Sequence, residues 1–428
     1  MKSSRRIFAL LAALTLLLGM TACTRKSNDN NNNNQNVTQS PTGGAPEKVS
    51  LKIWAPENQI QTGTVDAMCK TFSELHPEWD ITFTVEAQGE DTAKESVLKD
   101  VAAAADIYFF SSDQLQELVN AGAIARLGGS AKSMVEETMA DSVVATVTAE
   151  DGNLYAIPFT HNTFFMYYDK SLLDEDDVTS MEKIMAKQTG DKVYNFYFES
   201  AGGWKLGCWY YGAGLHIYGE SQNDYEAGCN WNNPTGVAVT NYLIDLIGNP
   251  KCVYDGDISV SELAGSHRLG AWFDGSWNYK LYKDALGDDL GLARIPTFNP
   301  DGNDYQLKGF YSTKAIGVNP KSAYPAAAVA FAAFLGSEEM QMKRYTETAQ
   351  IPTNLNAVNS EMVQADEVAR VILDEVNNAS VKQPANAEFS QRYWSNAGAI
   401  PTEIRSGVLN KNNVQEKLDL FVNSMKVK

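Results

Sequence analysis

Four histidines and five cysteines in 428 residues leave little material for metal or thiol chemistry. His76, His161, His216 and His267 are far apart in the chain, and the cysteines show neither Cys-x-x-Cys nor a zinc-finger spacing. There is no Gly-x-Ser-x-Gly elbow, no Gly-x-x-x-x-Gly-Lys loop and no His-Glu-x-x-His pair. After the first twenty residues no apolar run is long enough to span a bilayer. Positive charge is also scarce. Thirty-five Lys and Arg face 53 Asp and Glu, a formal charge of −18, and no basic stripe is present. That balance excludes nucleic acid as a partner and points to neutral molecules. No internal repeat is visible, so repeat architectures drop out.

What is present begins with an address. Lys2, Arg5 and Arg6 precede Ile7–Leu18, an apolar stretch interrupted only by Thr15, and Gly19-Met20-Thr21-Ala22-Cys23 follows. This is a signal peptide with a basic head, a short apolar centre and a small-residue cleavage site. The Thr-Ala-Cys ending resembles the lipobox of bacterial lipoproteins, which implies lipidation of Cys23 as the first mature residue. Met20 stands where Leu is more usual, and an ordinary secretion signal cut near Ala22 is the alternative. Loss of residues 1–22 removes three positive charges and no acid, taking the charge from −18 to −21. Residues 23–47 then read as a tether of Asn, Gln, Ser, Thr, Gly and Pro with almost nothing to bury. Export permits disulfides, and Cys208 with Cys229 is the pair to test.

The folded body should start with the alternating strand Val49–Ala55. A helix follows over Thr64–Leu75, with Val65, Met68, Phe72 and Leu75 at helical spacing, then a strand over Asp80–Glu86 and a helix over Ser96–Ala104. The run Ala105–Phe110 reads as a strand buried on both faces. Ser111 and Ser112 offer a helix cap, Asp113 falls in the first turn, and Gly122 stops the helix. This alternation predicts a doubly wound α/β lobe, whose ligands bind at the carboxyl edge of the sheet. Phe110 beside Asp113 would there pair a flat ring with an acceptor, which suits a sugar; core packing and capping are the alternative.

Further on, Pro158–Lys170 is an extended run with room to leave one sheet and enter another. Ser171–Gly190 reads as helical and charged, Val193–Phe198 as a strand, and Gly202-Gly203-Trp204 as a helix start. Asn233-Pro234 opens a helix that Gly248 ends. Ala271–Trp277 reads as a strand, a glycine turn and a new helix. Pro325–Leu335 and Ser337–Thr348 are helices, as are Arg392–Ile404 and Val414–Met425. With this length two to three domains are expected, and 44% hydrophobic residues suffice for real cores.

The order of segments resembles the extracellular solute-binding proteins of the maltose/maltodextrin-binding type. It is carried by Leu51–Trp54, Ala105–Phe109, Asn153–Pro158, Tyr168–Leu173, Gly275-Ser276-Trp277, Arg294–Phe298 and Phe310-Tyr311-Ser312 leading to Ala315–Asn319. The resemblance implies two doubly wound α/β lobes joined by a multi-segment hinge. One would be formed by residues 48–160 with 311–358, the other by 161–310 with 359–428. It implies a receptor of an ABC sugar importer at the extracytoplasmic face of the bacterial membrane, lipid-anchored through Cys23 and handing its ligand to permease subunits. A monomer is expected, with no cofactor, metal or catalysis. Carried over by position, Phe110, Trp204, Trp277 and Trp394 stack on sugar rings, Asp113 accepts hydroxyls, and Glu57 and Gln59 contribute from the first loop. Departures occur at Gln114, where the family has Arg, and at Asn162 and Gly202, where it has Glu. Pro401 interrupts a helix that the family keeps continuous. The implied ligand is an oligosaccharide, malto-type first, with xylo-, galacto- and fructo-types as alternatives.

A secreted glycoside hydrolase is the rival class. It needs two carboxylates about 5–10 Å apart, and no acid pair stands out at a strand end. A passive adhesin would favour repeats. Asp301–Asp304 lacks the later ligands of a calcium loop and reads as a turn.

Overall fold

The computed structural model describes residues 45–199, 203–254 and 258–427. The signal peptide, Cys23 and Gly202 lie outside them, as does all of the tether before residue 45.

Two sheets organise the body. The first contains β1 (Glu47–Ala55), β2 (Trp79–Ala87), β3 (Ile107–Ser111) and β4 (Ala156–Asn162). The second contains β5 (Phe164–Asp169), β6 (Tyr194–Phe198), β7 (Cys252–Tyr254), β8 (Leu269–Gly275) and β9 (Leu290–Ala293). A small hairpin, β10 (Thr297–Phe298) and β11 (Tyr305–Gln306), precedes β12 (Gly309–Val318), and β13 (Ser380–Lys382) closes the set. β1 pairs in parallel with β2 and β3, as helical crossovers require. β12 runs antiparallel to both β3 and β4, and its first residues pair in parallel with β13. The second sheet has the order β7-β6-β8-β5-β9.

The extended run Pro158–Lys170 does change sheets. β4 ends at Asn162 in the first sheet and β5 starts at Phe164 in the second, with Thr163 alone between them. The Thr163 hydroxyl donates to the Phe310 carbonyl at 3.0 Å, tying this crossing to the start of β12. β5 then alternates. Phe164, Met166 and Tyr168 enter one core, while Phe165 and Tyr167 enter another on the opposite face. That is why Phe-Phe-Met-Tyr-Tyr shows no polar alternation.

The helix Thr64–Leu75 forms with the expected bounds. Asn233 caps Pro234–Ile247 through Gly236 N, and Ser337 caps Glu338–Thr348 through Met340 N. Other expectations shift. The helix expected over Ser96–Ala104 spans Ala93–Lys99, the one after Trp204 spans only Gly207–Gly212, and Ser171–Gly190 holds a single helix, Met181–Ala186, after a short 3-10 turn. Ser111 and Ser112 do not cap through their side chains, because Ser112 Oγ is taken by Thr313 N at 3.0 Å. Cys208 and Cys229 are not bonded to each other; Cys69, Cys208, Cys229 and Cys252 are all free thiols. Burial pushes the Cys229 thiol up to about 12 and Cys208 well above its ordinary value, which leaves both unreactive. Pro401 lies inside the helix Ala387–Arg405 without ending it.

Candidate ligand-binding site

A cavity of about 500 Å³ opens where the two sheets meet, lined by side chains from both. On the second sheet's side, β8 ends at Gly275 and the chain turns into the helix Tyr279–Leu286. Trp277 sits in that turn with 57% of its surface exposed. Its indole lies directly over Gly275, where a β-carbon would come within 2.1 Å of the ring, so only glycine lets the ring lie flat there. Trp204 approaches it at 5.9 Å between centroids, tilted by 34°. Trp204 is held by the edge of Phe164 at 4.9 Å and by its own N–H, which donates to Gln383 Oε1 at 2.9 Å. The third indole, Trp394, is supported edge-on by Phe310, Phe389 and Tyr393. The platform survives Pro401 because that residue lies well past Trp394, in the final turns of the helix.

The first sheet contributes the polar wall. Asp113 follows β3 at the carboxyl edge, half-buried. Burial pushes its carboxyl up, while the Ser111 hydroxyl and the Lys314 charge pull it down, and burial prevails. Gln114 is fully engaged. It accepts from Lys94 N at 3.0 Å and donates to the carbonyls of Glu90 and Asp91 at 3.1 and 2.8 Å. It therefore pins the Glu90–Asp91 loop to the rim of the cavity. Asn162 donates to Ser312 Oγ at 2.8 Å at the end of β4. Glu90, also raised by burial, has Oε1 inaccessible and without a partner among the described residues.

Of the residues the sequence pointed to, Asp113, Gln114, Asn162, Trp204, Trp277 and Trp394 come together around this cavity. Phe110, Glu57 and Gln59 do not. Phe110 is fully buried in the first core, edge-on to Tyr108, because β3 lies between β1 and β12 and both its faces are covered. Gln59 is also fully buried. Its amide accepts from Arg344 Nε at 3.1 Å and donates to Gln350 at 3.0 Å, so it serves the interior. Glu57 is exposed in the first turn of a short helix, accepting from Gln61. Sequence reasoning missed Glu90, Asp91, Ser111, Lys314 and Gln383, which also line the cavity. The position of Glu90 and Asp91 just past β2 was a usable signal, since that is also a carboxyl edge. Gln383 offered none.

Flat indole faces beside fixed acceptors match a molecule with apolar C–H faces and a rim of hydroxyls. The family model for bacterial extracellular solute-binding proteins matches residues 67–370, well over half the chain. The chain belongs to the bacterial extracellular solute-binding proteins. A protein solved with acarbose is 35% identical and superposes with a TM-score of 0.81, over 88% of this chain and 98% of its own. This solute-binding protein thus has the two-lobed α/β fold of the periplasmic binding proteins. The galactooligosaccharide-binding protein of Bacillus subtilis (strain 168) is 23% identical over 71% of this chain and 72% of its own length. The maltooligosaccharide ABC transporter solute-binding lipoprotein of Streptococcus pneumoniae is 25% identical over 56% of this chain and 58% of its own.

Proposed function

We propose that this solute-binding protein captures a malto-type oligosaccharide outside the cell and passes it, unaltered, to the permease subunits of an ABC importer. The observation that carries this reading is the grouping of Trp204, Trp277 and Trp394 around one cavity beside Asp113 and Asn162. Stacking surfaces with few polar anchors are what an oligosaccharide needs. The pneumococcal relative's name adds the importer and the lipid anchor, and acarbose in the 35% identical structure adds the glucan class. In this reading the lobes are residues 48–160 with 311–358 and residues 161–310 with 359–428, closing by hinge motion about the segments that cross between them; β4 itself continues in the first sheet to Asn162, two residues past that boundary. The pairing of Ser380–Lys382 with β12 draws that short strand to the first lobe's edge. Lipid on Cys23 and the tether to residue 47 hold a monomeric body at the outer membrane face.

Calorimetry against a panel of malto-, xylo-, galacto- and fructo-oligosaccharides tests this. A malto-oligosaccharide should bind with a dissociation constant on the order of 1 μM, about −8 kcal/mol. The galactooligosaccharide-binding relative favours a second reading, in which the galacto-series binds best. Release of shorter sugars during a day's incubation with pure protein would point instead to a glycoside hydrolase.

A further inference from the structure

Lys314 is out of character with its strand. β12 reads Gly-Phe-Tyr-Ser-Thr-Lys-Ala-Ile-Gly-Val and is buried at every position but this one. Lysine rarely occupies such a strand unless it is paired or used. The interior does not need it, because Tyr311, Ala315, Ile316 and Val318 already fill the first core from β12. Two features of the backbone turn the side chain to the cavity. Alternation places Ser312 and Lys314 on one face, with Ser312 bonded to Asn162, while Thr313 faces the other way and bonds to Thr146 at 2.7 Å. The register with β4 also slips between Lys314 and Ala315, opposite Pro158, which has no N–H for the ladder. Such irregularities re-aim side chains and are common beside functional sites.

The ammonium has three N–H groups. Among the described residues only Asp91 Oδ1 accepts from it, at 2.6 Å, and Asp91 is itself largely exposed. Lys314 is the one cation lining the cavity among the described residues; Glu90, Asp91 and Asp113 are its carboxylates. Burial works against the Lys314 charge, but Glu90, Asp91 and Asp113 outweigh it and raise its pKa. Arg344 also faces Glu90, from the buried side. The polar wall therefore offers carboxylate acceptors and a single charged donor. Adjacent sugar hydroxyls, each both donor and acceptor, match that pattern.

We propose that Lys314 contacts the ligand, donating a charge-assisted hydrogen bond to a sugar hydroxyl, and that it sets the preference of this cleft for a neutral sugar with free adjacent hydroxyls. The assignment rests on the oligosaccharide reading above. The Lys314 charge also opposes the burial that pushes the carboxyls of Glu90 and Asp113 up, so its loss should raise both further and make binding more dependent on pH.

The test is calorimetric titration of maltotetraose into wild type, Lys314→Met, Lys314→Gln and Lys314→Arg between pH 5.5 and 8, with melting temperatures of the unliganded proteins. At pH 7 Lys314→Met should bind about ten- to hundredfold more weakly, the range of a hydrogen bond to a charged group. Its affinity should fall more steeply than that of wild type as pH drops. Lys314→Arg, which keeps charge and donors, should recover most of the loss. Lys314→Gln gives the same reading if the Met variant fails to fold. Wild-type affinity in both neutral variants, or a loss that Arg does not relieve and pH does not alter, overturns the assignment. If wild type does not bind maltotetraose, the glucan reading and this assignment fall together; if it binds and the variants match it, only the assignment falls.

Discussion

Trp277 keeps 57% of its surface in solvent although it is among the largest apolar side chains of the protein, and Gly275 beneath it is shaped to keep its ring there. An exposed indole contributes little to folding, so its value must lie in what it later covers. Trp277→Ala should cost about 2 kcal/mol of ligand affinity, some thirtyfold, with the melting temperature of the free protein little changed. A sharp fall in melting temperature with normal binding by the folded fraction would make Trp277 a core residue. Gln59 is the opposite case. Its side chain satisfies Arg344, which burial, opposed by the charge of Glu90, pulls down to about 9 and whose Nη2 has no hydrogen-bond partner among the described residues. Gln59→Leu would leave more of that guanidinium unpaired, at a cost of about 1–3 kcal/mol in stability, while the affinity of the surviving fold stays near wild type. Both residues are polar or amphipathic and both flank predicted loops. Nothing local distinguishes the ligand face from the interior at these two positions, and only the neighbours brought by distant sequence do.

The helix Glu367–Asn378 carries Glu375, fully buried against the start of β12, at an element junction the sequence does not mark. Its Oε2 accepts from Ile295 N at 3.0 Å, and Oε1 lies 3.4 Å from where a β-carbon on Gly309 would sit. Burial raises its pKa well above the ordinary value, with Asp374 adding to this and Ile295 N and Arg294 opposing. Below about pH 4.5 the group is protonated in both folded and unfolded chains and costs nothing. Above that the unfolded chain releases the proton and the fold retains it, so stability falls as pH rises toward the folded pKa. Glu375→Gln should remove this slope, gaining on wild type by up to about 1.4 kcal/mol per pH unit. Urea unfolding of both proteins between pH 5 and 8 measures it, and parallel profiles would refute it. His161, lowered by burial to about 4, works in the other direction, its contribution being lost as pH falls below about 6.5. Both proteins share it, so it cancels. At this scale the sequence was legible where elements are amphipathic and capped, as in Thr64–Leu75 and Pro234–Ile247. It was least legible at β12, whose unalternating run with an internal lysine matches no strand template.

Considered whole, the chain joins a basic, apolar leader, a polar tether and an acidic body with a sugar-sized cavity. In the proposed reading the leader and tether hold the body at the membrane. Cys23→Ser should release a folded, binding-competent body from membranes into the soluble fraction. One acyl chain gives only marginal anchoring, so firm retention of the wild type implies more than one. Retention of Cys23→Ser with membranes would sink the anchor.

The three indoles and the carboxylate at the cavity were expected from the family resemblance, carried over by position. By itself the sequence determined the pattern of a basic, apolar leader, the strand-helix alternation and an extended run, Pro158–Lys170, with room to change sheets. These rest on local patterns, since period, caps and charge are carried by residues close in the chain. The tertiary structure decided which of two adjacent faces meets the ligand. It buried Phe110 because both faces of β3 are covered, gave Gln59 to Arg344 from 285 positions away, and brought Lys314 to Asp91 across 223. Burial and charge at such positions are sums over neighbours that no local window contains.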